Sequence, residues 1–189
     1  SGGSLYRKSS FLVDSLGRQI FPDWMHIEEH PHVKNGLASS PFDDDGVVTR
    51  DRTVVRDGVL QGYFLSTYTA RKLGMPTTGN AGGSHNLIVA PSPDAPANFA
   101  GLLKQMGTGL LVTELLGQGV NYVTGDYSRG AAGYWVENGE IACPVHEITI
   151  AGNLRDMFAG IVAIGRDTVT RGSRTVGSIV VNRMTIAGS

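Results

Sequence analysis

Apolar and polar residues alternate over several short stretches of this 189-residue chain, which is the pattern of half-buried β-strands. Two of these stretches surround a dipeptide that favours a tight turn. Residues 53–64 alternate around Asp57-Gly58, and residues 134–143 alternate around Asn138-Gly139. Both stretches predict β-hairpins, and a type I′ turn is expected at Asn138-Gly139. Further strands are predicted over residues 86–90, 110–116, 120–124, 147–150, 161–164 and 175–186.

Three short helices are predicted, and each begins at a residue whose side chain can accept a hydrogen bond from the first helical turn. These capping residues are Ser66, Asn98 and Asn153. The first two helices should end at Gly74 and Gly107, because glycine adopts the left-handed conformation that often closes a helix. The predicted spans are 66–72, 98–106 and 153–158.

The other segments have weaker patterns. Residues 5–23 suit a short helix or a strand, residues 23–41 suit irregular or extended chain, and residues 42–46 predict a turn. Two hairpins, about nine strands and about three short helices predict an α+β domain with a mixed, largely antiparallel and strongly twisted sheet. Ser1–Ser4 are expected to be a cloning scar or a cut end, and residues 5–189 a single domain.

Glycine is the unusual residue in the composition, with 26 of 189 positions, about twice the typical share of ~7%. The glycines have no three-residue period, which excludes a collagen-like chain, and 41% hydrophobic residues exclude a disordered one. We therefore expect glycines at turns, at helix ends and where another chain passes close to the backbone.

The charge balance argues against direct binding of nucleic acid. Sixteen basic and 17 acidic residues give a net charge of −1, which leaves no basic excess for counterion release. No apolar run approaches the ~18–20 residues of a membrane span, and the first residues lack the apolar core of a signal peptide. The single cysteine, Cys143, excludes an internal disulfide. These features predict a cytoplasmic protein without a membrane partner.

Three histidines within seven residues are the candidate metal ligands. Residues 26–30 match the His-x-x-Glu-His pattern of inverted zinc peptidases, which needs both histidines on one helix. Pro31 follows directly and disfavours that helix. The three imidazoles of His26, His30 and His32 could still bind a metal from a loop. An independent metalloenzyme is therefore an alternative to a solvated or packed extended segment.

The segment Gly125–Gly130 places an acid, a phenol, a hydroxyl and a guanidinium between two glycines, at Asp126, Tyr127, Ser128 and Arg129. Two interpretations stay open. The segment forms either a salt-bridged turn or one wall of a groove for a peptide or another ligand.

Several long motifs resemble one known family. They are Ala-Arg-Lys-Leu-Gly (70–74), Thr-Gly-Asn-Ala-Gly-Gly (78–83), Met-Gly-Thr-Gly-Leu-Leu-Val-Thr-Glu-Leu-Leu-Gly-Gln-Gly (106–119), Thr-Gly-Asp-Tyr-Ser-Arg-Gly-Ala-Ala-Gly-Tyr-Trp-Val-Glu-Asn-Gly-Glu-Ile (124–141) and Glu-Ile-Thr-Ile-Ala-Gly-Asn-Leu (147–154). From about Leu5 onwards the chain resembles the C-terminal half of the TldD/PmbA family, on its PmbA (TldE) side. The resemblance implies an N-terminal domain outside this sequence, and a C-terminal domain whose mixed sheet curls toward a half-barrel.

The resemblance also implies a bacterial cytosolic heterodimer of TldD and TldE, a zinc metallopeptidase that acts on extended peptides. The zinc site of TldD resembles His-Glu-x-x-x-His followed by a cysteine near the C-terminus. This sequence lacks that histidine motif, Val176 stands at the cysteine position, and Cys143 lies in another strand context. The chain is therefore expected to bind no zinc itself, and to be the non-catalytic partner of a TldD-like subunit that holds the zinc.

The expected role is to form a cavity wall and the subunit interface. If substrate peptides add as strands to a sheet edge, main-chain groups supply the affinity. A homodimer of the isolated protein is a further expected assembly. Two other functions stay open: a binding partner of DNA gyrase, and the histidine-based metalloenzyme. From their local chemistry, the candidate wall residues are Asp126, Tyr127, Ser128, Arg129, Gly82 and Gly83.

Overall fold

The computed structural model describes residues 1–188. In chain order the elements are α1 (Gly2–Tyr6), β1 (Ile27–His30), β2 (Arg52–Arg56), β3 (Val59–Leu60), α2 (Thr67–Leu73), β4 (Asn86–Val89), α3 (Phe99–Met106), β5 (Gly109–Leu116), β6 (Asp126–Glu137), β7 (Glu140–Asn153), α4 (Leu154–Ala159), β8 (Ile161–Ile164), β9 (Val169–Arg171), β10 (Arg174–Val176), β11 (Ile179–Val181) and β12 (Thr185–Ala187).

The chain divides into two compact units. The first unit comprises residues 1–90 and 168–177, and the second comprises Pro91–Asp167 and the residues from Ser178 onwards. The first contains a six-stranded sheet of order β3-β2-β1-β4-β10-β9. The second contains a four-stranded sheet of order β12-β7-β6-β5 and the pair β11-β8. Neighbouring strands are antiparallel except for β4 and β10. The predicted α+β class with largely antiparallel pairing is confirmed.

Both predicted hairpins are present. In the turn between β2 and β3, Asp57 and Gly58 have φ values of 50° and 72°, and between β6 and β7, Asn138 and Gly139 have φ values of 53° and 79°. Positive φ at both central residues is the mark of the type I′ turn, which matches the twist of the flanking strands.

The three predicted helices form at the expected places. Ser66 accepts a hydrogen bond from the Thr69 amide at the start of α2. Asn98 and Asn153 cap α3 and α4 in the same way. Gly74 ends α2 in the left-handed conformation, with φ at 66°. Over residues 1–188, no helix is long and apolar enough to cross a membrane.

Helix α1 was not predicted, because two glycines and a serine are weak helix formers. Its stability comes from packing within the first unit. The Gly2 amide donates to the Phe64 carbonyl oxygen at 2.9 Å. Leu5 is buried in a cluster with Leu65 and Ala70. Tertiary contacts therefore override the local preference at this helix.

The prediction of a strand over residues 120–124 is wrong. The Asn121 side chain accepts hydrogen bonds from the Val123 and Thr124 amides, at 3.0 and 3.4 Å. The Gly125 amide donates to the Asn121 carbonyl oxygen at 2.8 Å. An asparagine side chain that binds the following backbone replaces ladder bonds with a turn. Only an isolated bridge joins Val120 to Tyr127.

Strand β6 lies between β5 and β7 in the four-stranded sheet of the second unit. The pairing of β6 with each of these strands contains a bulge beside Ala132. The register of β5 against β6 shifts between Val112 and Glu114, and the register of β7 shifts opposite Ala132. Glu147 of β7 lies in the left-handed region there, with φ at 55°. Bulges increase the local twist of a sheet. Beside this level, Ala131 packs against two buried isoleucines of β7.

Candidate functional site

The four polar candidates Asp126, Tyr127, Ser128 and Arg129 are the first residues of β6. The turn interpretation of this segment is therefore wrong. Because successive side chains of a strand point to opposite faces, the structure separates the four into two pairs. Asp126 and Ser128 are exposed on one face, and Tyr127 and Arg129 are half-buried on the other. The two pairs therefore cannot both line the same cavity wall.

Asp126 is held by two hydrogen bonds. Thr124 donates its hydroxyl at 2.6 Å, and the Asn153 side-chain amide donates at 3.1 Å. These bonds, the hydroxyl first, lower the pKa of Asp126 because they stabilise its charged form. The same Asn153 caps α4 with its side-chain oxygen. Asp126 thus ties the start of β6 to the end of β7.

Arg129 links β6 to the edge of its sheet. Its Nη2 donates to the Leu115 carbonyl oxygen of β5 at 3.3 Å. Its Nε is buried and has no hydrogen-bond partner within residues 1–188. The side chain of Arg129 therefore hydrogen-bonds the outer strand of the sheet.

Gly82 and Gly83 lie at the tip of a loop in the first unit, residues 77–85, called here the glycine loop. Both are exposed, with φ values of 92° and 123°. A Cβ on Gly82 would overlap the Asp44 carboxylate, whereas a Cβ on Gly83 would meet nothing within 4 Å. Gly83 therefore leaves open space beside its Cα, and the approach of another backbone there stays a prediction.

The base of the glycine loop rests on a buried polar cluster that the sequence analysis missed. Glu29 of β1 has a side chain that is 1% exposed. Its Oε2 accepts from Arg52 Nε of β2 at 2.9 Å. Its Oε1 accepts from Asn80 Nδ2 at 2.8 Å and from the His85 amide and Nδ1 at 2.7 and 3.1 Å. Period-two alternation along β1, which turns Glu29 inward between two outward residues, is the one local signal.

The three neighbouring histidines have separate partners. His26 Nε2 lies 3.4 Å from an Asp57 oxygen, His30 lies between Glu28 and another exposed acid, and His32 Nε2 lies 3.0 Å from the Thr49 hydroxyl. Residues 27–30 form a strand, so the one-turn helical spacing of an inverted zinc site is not available. The structure does not bring the three imidazoles together.

The zinc site that the resemblance implies can be compared with the residues present in this chain. Among the described residues 1–188, no group of three or more histidine, cysteine, aspartate or glutamate side chains is placed to hold a metal ion. Val176, at the position where the resemblance expects a cysteine, pairs with Val169 in β9 and offers no donor atom. Cys143 is exposed on β7 opposite Trp135. These residues do not fit a zinc site.

The strand β5 is one edge of the four-stranded sheet in the second unit. Within residues 1–188, β5 has a strand neighbour only on its β6 side. It carries neither proline nor a basic residue, and Leu115 and Leu116 are 39% and 50% exposed. At the opposite edge of the sheet, β12 pairs with residues 149–151 of β7. The uncovered half of β7 contains Pro144, which obstructs strand pairing.

A cavity of about 570 Å³ lies elsewhere in the first unit. Most of its lining is apolar, and none of the six predicted wall residues belongs to it. The lining residues are Leu5, Tyr6, Lys8, Val13, Asp14, Leu16, Tyr63, Lys72, Leu73 and Met75.

Comparison with known proteins gives consistent matches along the whole chain. Residues 1–188 match the PmbA/TldA metallopeptidase C-terminal domain. The chain is 58% identical over 188 residues to the metalloprotease PmbA of Escherichia coli O157:H7, which covers 100% of this chain and 41% of that protein. It is 56% identical over 189 residues to a PmbA homologue of Haemophilus influenzae, with 100% and 42% covered.

Solved structures share the fold. A Thermotoga maritima protein described as a modulator of a DNA gyrase superposes with a TM-score of 0.89 at 38% identity, over 99% of this chain and 44% of that one. TldE from Thermococcus kodakarensis superposes with a TM-score of 0.84 at 22% identity, over 100% and 45%. The chain spans about two fifths of the length of the curated relatives above. Sequence and fold together show that this chain belongs to the PmbA/TldD metallopeptidase family, whose C-terminal domain it matches.

Proposed function

We propose that this chain is the C-terminal domain of a non-catalytic, TldE-like subunit in a heterodimeric zinc metallopeptidase that processes or degrades extended peptides. The chain would form part of the cavity wall and of the subunit interface, and a TldD-like partner would hold the zinc. The relatives named metalloproteases support the reaction class.

The observation that carries the proposal is the free outer edge of β5. Unpaired amides and carbonyls in an extended row are a template for another strand, and natural proteins usually block such rows. An extended peptide that pairs with β5 would gain main-chain hydrogen bonds whatever its sequence. Arg129, bonded to the Leu115 carbonyl oxygen, would lie beside that peptide's path.

The assignment of the non-catalytic role rests on Val176. A catalytic zinc needs about three protein ligands and an open position for water. An apolar side chain at the expected cysteine position removes one ligand, and the sequence contains no His-Glu-x-x-x-His for the other two. The zinc would therefore come with the partner. The single cysteine fits a cytoplasmic location, where thiols stay reduced.

The test uses the full-length protein and a TldD-like subunit from the same organism. The two should co-purify, metal analysis should find zinc only in the partner, and labelled extended peptides should be cleaved only by the mixture. Zinc-dependent cleavage by this protein alone would overturn the proposal. Recovery of gyrase without a TldD-like protein in a pull-down would favour the gyrase-binding alternative. Any metal lost in a His30→Ala variant would favour the histidine site.

A further inference from the structure

The buried cluster at Glu29 joins two strands to the glycine loop. A carboxylate with 1% of its side chain exposed needs compensation of its charge, since an isolated buried ion is very costly. Arg52 supplies that charge through Oε2. The Arg52 guanidinium is itself held by a bond from Nη1 to the Tyr63 carbonyl oxygen at 3.0 Å. The pair fixes the carboxylate in one orientation.

The second oxygen, Oε1, binds the loop at two residues. Asn80 near the start of the loop donates one bond, and His85 at its end donates two, from the amide and from Nδ1. Because a carboxylate oxygen only accepts, Nδ1 of His85 must carry its proton. The single buried atom Oε1 therefore binds both Asn80 and His85 and holds the two residues close together.

Additional bonds stiffen the loop and reach its tip, where the Gly83 amide donates to the Asn80 carbonyl oxygen at 3.1 Å. The Ala81 amide donates to the Asp43 carboxylate at 2.9 Å, and Asn80 Nδ2 also donates to the Gly83 carbonyl oxygen at 3.1 Å. Gly82 and Gly83 are nevertheless exposed. A flexible dipeptide on a rigid base can hold one conformation, which glycine alone would not maintain.

We propose that Glu29 is a positioning residue: through Asn80 and His85 it fixes the Gly82-Gly83 tip in the conformation that meets the backbone of a bound peptide. This inference rests on the proposed function, because it needs a peptide-cleaving complex. Glu29 touches neither peptide nor metal, and its effect reaches the peptide through the loop.

The test compares Glu29→Gln with Glu28→Gln in the full-length protein bound to its TldD-like partner. Glu28 is the neighbouring residue on β1, with a 53% exposed side chain, so it controls for the loss of one charge. A glutamine at position 29 has one oxygen to face donors on both sides, so either Arg52 or the loop loses its acceptor. Kinetics of peptide cleavage and thermal unfolding are measured for each variant.

The expected result is a KM for extended peptides raised about tenfold or more in Glu29→Gln, with kcat within about twofold of wild type. The Glu28→Gln variant should keep both values. A role limited to stability would lower the melting temperature and leave the KM of the folded fraction unchanged, and that result overturns the proposal. A fall in kcat at constant KM overturns it as well.

A second variant keeps the inference falsifiable if Glu29→Gln does not fold. Asn80→Ala preserves the Glu29–Arg52 pair and removes one loop anchor, and it should raise KM in the same way. An unchanged KM in this variant overturns the proposal. If the wild-type complex cleaves no peptide, the proposed function fails, and the positioning role fails with it. If the wild type cleaves and the variants keep its KM, only the positioning role fails.

Discussion

Removal of the ion pair between Glu29 and Arg52 should lower the free energy of unfolding of the first unit. Arg52→Met keeps an unbranched apolar stem and removes the charged guanidinium. The Nε–Oε2 distance is 2.9 Å and the carboxylate is 1% exposed, so the variant leaves a buried charge without its counter-ion. Breaking a buried ion pair from one side costs about 3–5 kcal/mol. Because the loop donors on Oε1 remain, we expect the lower part of that range, about 3–4 kcal/mol.

The free energy of unfolding is measured by urea denaturation of the full-length protein. Fluorescence of Trp24, which belongs to the first unit, reports on that unit when Trp135 and any other tryptophan of the full-length protein are replaced by phenylalanine. Arg56→Met is the matched control: Arg56 ends the same strand and is exposed, and its side chain donates to the Thr53 hydroxyl at 3.1 Å. The control should lose less than about 0.5 kcal/mol.

The difference in the free energy of unfolding between the two arginine variants tests whether Arg52 compensates the buried Glu29 carboxylate. If Arg52→Met and Arg56→Met differ by less than about 1 kcal/mol, Arg52 does not compensate the buried carboxylate, and the reasoning from burial is wrong. If the two variants differ in the free energy of unfolding only when a probe of the second unit is followed, the proposed stabilisation of the first unit by Arg52 is wrong as well.

Three further predictions concern the glycines, the pH dependence and the sheet edge. Gly133→Ala would overlap a carbonyl oxygen of β5 and should lower the free energy of unfolding by about 1–3 kcal/mol in urea denaturation, whereas Gly62→Ala meets only an ordinary contact at 3.9 Å and should be neutral or slightly stabilising. Hydrogen bonds from a threonine hydroxyl and an asparagine amide lower the pKa of Asp126 from 3.8, so Asp126→Ala should melt below wild type near neutral pH, and thermal melts should converge as the pH falls below 3.8. Thr113→Lys on the outer edge of β5 should weaken the anisotropy-measured affinity for a labelled extended peptide, whereas the exposed β7 control Ala142→Lys should not; equal affinities would remove β5 as the docking edge.

Local signals predicted most of the elements of this fold. Asn138-Gly139 and Asp57-Gly58 were sufficient to place two hairpins, because a type I′ turn depends on the backbone freedom of its two central residues. The helix caps were equally informative, since a cap binds amides two or three residues away. The segment 120–124 failed for the converse reason. The Asn121 side chain bound the following amides, and a count of β-forming residues does not register that competition.

The candidate site was less predictable because its contacts join distant parts of the chain. Glu29 meets Arg52, Asn80 and His85, which lie 23, 51 and 56 residues further along. No spacing in the sequence marks such a cluster. The His-x-x-Glu-His pattern indicated the histidines as candidate ligands. In a strand, however, the histidines face outward with Glu28, and Glu29 is the residue that turns inward.

The two places proposed to contact a peptide have a property in common. The edge of β5 has no strand neighbour on its outer side within residues 1–188, and the Gly82-Gly83 tip carries no side chains, so both places would meet a peptide through main-chain atoms. Under the proposed function, selection at these places would act on conformation: a peptide binds if its own amides and carbonyls are free, and a folded protein, whose strands are already paired, does not. Rigidity of the site then matters more than its chemical variety, since main-chain bonds are short and directional. This is the physical reason to expect that Glu29, which contacts no peptide, controls how well one binds.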